Sequence, residues 1–190
     1  MRKIKHPDSG YTLIELLAVM IILIVVGTII AAIFVSALRG GNKSTTTNDI
    51  RQSGNYAISQ MSRMIAYAKS FDGVSTDGNT FDKCTAFPVG TSFAAVKITS
   101  FDLGVTTFSC MQSGSYWTIA SNGAALLDTN TIAATAGNCS FTCSQVSDFS
   151  PLTINIGLTL QKKPQSASTL LPEAQTIIPF NTSVTLRNIP

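Results

Sequence analysis

The sequence predicts an α+β protein, with a long N-terminal helix packed on an antiparallel β-sheet head. Three observations carry this. From Leu16 to Leu38 there are 23 residues without a charge. From about Thr47 to Lys69 apolar residues recur at helical spacing. Beyond Asp72 short apolar runs alternate with polar residues and are separated by Gly, Asn, Asp and Ser.

The first stretch is long enough to cross a membrane as a helix, since a rise of about 1.5 Å per residue over its length just spans a hydrocarbon core of roughly 30 Å. A basic leader with Arg2, Lys3 and Lys5 precedes it, followed by a Gly10-Tyr11 junction and by Glu15 at the start of the apolar run. An ordinary secretory signal places its apolar run before the small residue at the cut; here the run follows Gly10, so cleavage would leave the hydrophobic helix on the mature chain. The new α-amino group at Tyr11 is largely cationic at neutral pH, whereas a carboxylate at a lipid boundary lacks a partner. Side-by-side helices with a stagger would let Glu15 of one pair with the amino group of the next and remove both charges from apolar surroundings. The plainer reading places Glu15 in the headgroup zone, favoured by the positive end of its own helix.

The second stretch, with Ile50, Ala57, Ile58, Met61, Ile65 and Ala68 on one stripe and Arg51, Gln52, Ser59, Gln60 and Arg63 between them, is amphipathic. Gly40, Gly41 and Gly54 each cost about 1 kcal/mol relative to Ala in a helix. A bend or frayed turn is therefore expected over Gly40 to Thr47. With the stripe buried, Met61→Asp and Ile58→Asp should each unfold the head.

In the remainder, Phe93–Phe101, Val105–Met111 and Tyr116–Ala120 are expected strands, with Asn122-Gly123 as a tight hairpin signal. Leu152, Ile154, Ile156, Leu158 and Leu160 alternate with polar residues, and a second alternating run carries Ile178, Phe180, Val184 and Leu186. These two should pair antiparallel, joined by an exposed Gln161–Gln175 loop. The whole divides into a leader (1–10), an apolar helix (11–38), an amphipathic continuation (39–71) and a β-rich head (72–190) that forms one domain with 47–69.

Composition narrows the function. Lys and Arg number 13 against 10 Asp and Glu, and without Arg2, Lys3, Lys5 and Asp8 the balance is 10 to 9. A nearly neutral chain argues against nucleic acid as partner, although a count leaves open a small basic patch. The sole histidine is His6, in the leader. The mature chain therefore lacks Ser-His and Cys-His nucleophile pairs and any His-containing zinc site, and we expect no enzyme and no cofactor. Asp72, Asp77, Asn79 and Asp82 offer oxygen ligands for calcium, but not at EF-hand spacing, and a Gly/Asp turn region is the commoner use. Cys84, Cys110, Cys139 and Cys143 are even in number and lie beyond the apolar helix, which points to disulfides over a metal site. Of the three connectivities we expect Cys84–Cys110 and Cys139–Cys143. The second requires Ser140-Phe141-Thr142 to form a tight turn, since an extended segment would forbid it.

The run GYTLIELL followed by an unbroken apolar helix resembles the N-terminus of type IV pilins and type II secretion pseudopilins. That resemblance implies cleavage by a prepilin peptidase between Gly10 and Tyr11 and N-methylation of Tyr11, a position where the family more often has Phe. It also implies Glu15 as the assembly residue and a single long helix whose second half packs on a sheet. LTINIGLTL and FNTSVTLRN resemble the closing strand pair of minor pilins and pseudopilins. The implied function is a minor structural subunit of a pilus or secretion filament. Its partners would be other pilin or pseudopilin subunits, the peptidase and, before assembly, inner-membrane lipid. The implied location is a single pass through the bacterial cytoplasmic membrane with the head outside the cytoplasm, and later a periplasmic or extracellular filament. The alternative is a membrane-anchored adhesin or DNA-uptake receptor with the same processing signal, for which Tyr116 and Trp117 are candidate binding aromatics.

Overall fold

The computed structural model describes residues 11–147, 150–163 and 176–187. The leader with Gly10 and most of the expected Gln161–Gln175 loop lie outside the described residues. The chain divides into two compact units, the second beginning at Lys43.

One helix, α1, runs from Leu13 to Ala66. In the first unit every described residue is exposed. The helix contains a window of mean hydropathy 3.2 and is long and apolar enough to cross a membrane. The interruption expected over Gly40–Thr47 is absent, because helical structure continues through both glycines. Propagation adds one hydrogen bond per residue fixed, whereas a break would require a costly new nucleus, so two weak residues inside a long helix are carried along. Thr47 Oγ1 also bonds back to the carbonyl of Lys43 at 2.8 Å, one turn earlier.

In the second unit, Thr46, Ile50, Gly54, Ala57, Met61 and Ile65 form a buried stripe on α1. The spacing of three and four residues keeps them on one face, as the amphipathic pattern requires. They share a core with the inward residues of an antiparallel sheet. Ile154, Ile156, Leu158 and Leu160 are fully buried or nearly so, while Thr153, Asn155, Gly157 and Thr159 face outward. Ile58 is only half-buried, at the margin of this core.

The described strands are β1 (Ser70–Ser75), β2 (Ser92–Phe93), β3 (Ala95–Thr99), β4 (Val105–Ser113), β5 (Tyr116–Ser121), β6 (Ala124–Ala125), β7 (Ile132–Ser144), β8 (Thr153–Lys162) and β9 (Ile177–Thr185). Their order is β1-β3-β4-β5-β7-β8-β9, with β2 on β7 and β6 on β5. The expected Phe93–Phe101 strand is thus two strands broken at Ala94, where the chain changes partners. On one side of the break Phe93 opposes Phe141 of β7; on the other Val96 opposes Phe108 of β4. Because β2 returns to β7, strands β3, β4, β5 and β7 are drawn into a nearly closed ring. The β8–β9 pair is antiparallel, as expected, with Ile156 opposite Thr182. Asn122-Gly123 forms the tight turn between β5 and β6, both residues at positive φ (49° and 81°), the conformation that an Asn-Gly pair accepts at least cost.

The expected disulfides are overturned. Cys84 bonds Cys143 and Cys110 bonds Cys139, with Cα separations of 5.9 and 5.8 Å. Cys139 and Cys143 lie on the same extended strand, β7. At about 3.3 Å of rise per residue, positions four apart in a strand are roughly 13 Å apart, beyond any disulfide. Cys139 instead reaches across the ring to β4, and Cys143 reaches the 3-10 turn Cys84–Ala86 outside the sheet.

Candidate functional site

The first turn of α1 is built by Thr12, whose carbonyl accepts the backbone N–H groups of Glu15 (3.1 Å) and Leu16 (3.2 Å). Thr12 is therefore the N-cap residue and Glu15 the third residue of the helix. Thr-x-x-Glu is the spacing of a capping box, and a carboxylate in the first turn also complements the positive end of the helix. Glu15 is the one charged side chain between Tyr11 and Leu38. Around it Tyr11, Leu13 and Ile14 are 84%, 80% and 78% exposed. The structure brings Tyr11 and Glu15 to the same helix end; their partner at the junction, Gly10, is outside the described residues.

From Leu13 to Leu38 eighteen large apolar side chains are exposed. Even at the low figure of about 1.5 kcal/mol each, leaving them in water costs more than the roughly 5–15 kcal/mol net stability of a domain. This surface requires a cover of lipid or protein.

In the head, the four oxygen-bearing residues considered for calcium do not converge. Asp77 is consumed by its own turn, where Oδ1 accepts Ser75 Oγ (2.8 Å) and the backbone N–H groups of Asn79 (2.9 Å) and Thr80 (3.1 Å). The Asn79 N–H foremost, then the Ser75 hydroxyl and the Thr80 N–H, hold its carboxyl well below the usual range. Asp72 on β1 accepts Thr99 Oγ1 at 2.6 Å and Ser70 Oγ at 3.2 Å. Asp82 meets Val74 through the backbone. Among the described residues no group of three acidic, Cys or His side chains is placed to hold a metal.

Tyr116 and Trp117, the candidate binding aromatics, are half-buried. Trp117 packs against the core, and the Lys163 ammonium sits 4.6 Å from the Tyr116 ring centroid. The same ammonium donates to the carbonyl of Thr129. Asp128, next in that loop, has its carboxyl pulled below its ordinary value, first by the Thr131 hydroxyl and then by the Asn130 N–H, with a smaller contribution from Lys163. These groups fix the loop entering β7.

Sequence reasoning missed one further feature, a cleft of about 580 Å³ between the last turns of α1 and β9, with Arg63 and Arg187 in its lining. Nothing local marks it, because its two walls are distant in sequence, Tyr67 and Arg187 lying 120 positions apart. No family model, no curated protein and no solved structure matches this chain.

Proposed function

We propose that the protein is a structural subunit, a minor pilin or pseudopilin, of a type IV pilus or type II secretion filament. Prepilin peptidase would process it at Gly10-Tyr11, and it would assemble through its N-terminal helix. The observation that carries this reading is an apolar helix surface exposed all round from Tyr11 onward, with a lone carboxylate in its first turn and a Gly-Tyr junction just before it. Lipid covers such a surface before assembly and neighbouring helices cover it afterwards. Exchanging one apolar cover for the other is nearly neutral in hydrophobic terms, so a specific polar contact decides register. Glu15 paired with the amino terminus of a neighbouring Tyr11 supplies that contact. The head then stands outside the cytoplasm, where its two disulfides persist.

The test combines maturation with assembly. N-terminal sequencing of the exported chain should begin at Tyr11, and Gly10→Val should block that cut. Glu15→Val should leave the chain in the membrane at normal level while removing it from the sheared filament fraction. A Glu15→Val chain that enters filaments normally, or a mature chain lacking the apolar helix, would defeat the proposal.

A further inference from the structure

The two edges of the sheet are finished differently. At one end β1 is bulged between Phe71 and Gly73, and Val74 is bridged by the backbone of Asp82 at 2.9 and 3.1 Å. At the other end β9 pairs with β8 in unbroken register from Thr185 to Ile177, and among the described residues its backbone has no other partner. Exposed edges are ordinarily blunted by charge, proline, bulges or cover. Pro179 guards the start of β9, but Asn181–Thr185 contains no charge, no proline and no bulge.

That unguarded length forms one wall of the α1–β9 cleft. Thr182, Ser183, Val184 and Thr185 all line it, although consecutive strand side chains point to opposite faces. What four consecutive residues present in common is the strand edge itself, with its N–H and C=O groups. The facing wall is helical, with Ser59, Ser62 and Arg63. Ser62 Oγ is buried there without a protein hydrogen-bond partner. A groove between an edge strand and a helix is a recurring geometry for strand addition by an extended peptide.

Charge selects the occupant. Arg63 and Arg187 line the cleft, and among the described residues neither has a carboxylate partner. Arg187 is braced in place, its guanidinium 5.0 Å from the Tyr67 ring centroid and its Nη1 donating to Tyr67 Oη at 3.3 Å. We propose that this cleft binds an extended peptide segment by β-strand addition along Asn181–Thr185, with acidic side chains of the segment set against Arg63 and Arg187. The main-chain hydrogen bonds supply affinity and the arginines supply direction. The proposal stands on the head alone and is independent of the filament reading.

The test uses the full chain in detergent micelles and a labelled hexapeptide alternating valine and threonine and ending in two glutamates. Binding should slow amide exchange across Ile177–Thr185 and leave Ser70–Ser75 unchanged. N-methylating alternate backbone amides of the peptide should weaken binding at least about tenfold, the cost of two or so hydrogen bonds. Arg63→Glu with Arg187→Glu, both at exposed positions, should reverse preference to the same peptide ending in two lysines. Absence of binding, binding indifferent to N-methylation or to the charge exchange, or self-association through β9 that the acidic peptide does not displace would each overturn the proposal.

Discussion

The ring of Phe180 lies against the backbone of Gly54, in the space that a Cβ on that residue would occupy. Gly54 is buried on α1, and Phe180 projects from β9 beneath it. In helical terms Gly54 is a defect of about 1 kcal/mol, but here it is the recess that lets helix and strand approach. Gly54→Ala should therefore destabilise the head by about 1–3 kcal/mol, because the ring has to leave its place. In a Phe180→Ala background the same change should stabilise by up to about 1 kcal/mol, since only helix propensity remains. A double-mutant cycle by denaturant unfolding reads the reversal of sign; additive effects would show that the two residues do not interact.

The nested disulfides make a second prediction. Unreduced peptide mapping should recover Cys84 with Cys143 and Cys110 with Cys139. The inner bridge spans a sequence separation of 29. Replacing Cys110 and Cys139 by Ala should cost about 3–4 kcal/mol through the freed loop. Denaturation midpoints of the two double-alanine variants measure this, and the Cys84/Cys143 pair should cost about the same, because with the inner bridge retained it too closes a loop of about 30 positions.

Burial separates two substitutions that sequence alone treats alike. Met61 is fully buried, whereas Ile58 sits half-buried at the core margin. Met61→Asp leaves a carboxylate with no water and no partner, at a cost of several kcal/mol that approaches the whole stability of a domain. Ile58→Asp can turn its carboxylate to solvent and loses only part of an isoleucine contact. Limited proteolysis should degrade the Met61→Asp head rapidly and leave the Ile58→Asp head folded.

What was legible in the sequence and what was not follows from the range of the determining contacts. The apolar stretch, the α1 stripe, the Asn122-Gly123 turn and the Leu152–Leu160 alternation are local patterns, each imposed by one surface on a contiguous run. β7 is invisible to the same reading. Its register shifts between Ala134 and Cys139, so buried Ala134 and buried Phe141 stand an odd number of residues apart and no alternation survives. The disulfides depend on that strand and fail with it. The role of Gly54, the break at Ala94 and the α1–β9 cleft each need a partner distant in sequence. At the N-terminus the place of Glu15 in the first turn of α1 was readable because it depends on the helix alone.

Asp77 offers a check by pH. Its carboxyl is held low in the folded head by the Asn79 N–H, the Ser75 hydroxyl and the Thr80 N–H, whereas in the unfolded chain it titrates near about 3.9. A depressed folded value means that the charged form is the one the fold prefers, so its contribution is complete above the unfolded value and fades as pH falls through the lowered one. Asp77→Asn removes that ionisation while keeping an acceptor oxygen in the turn. The midpoint difference between wild type and Asp77→Asn should be constant from pH 7 down to about 5 and then shrink steadily as acid protonates the wild-type carboxylate. The group is fully exposed, so the difference should be modest and its pH dependence, not its size, is the diagnostic. A difference that stays flat into strong acid would mean that the three hydrogen bonds do not discriminate carboxylate from carboxamide.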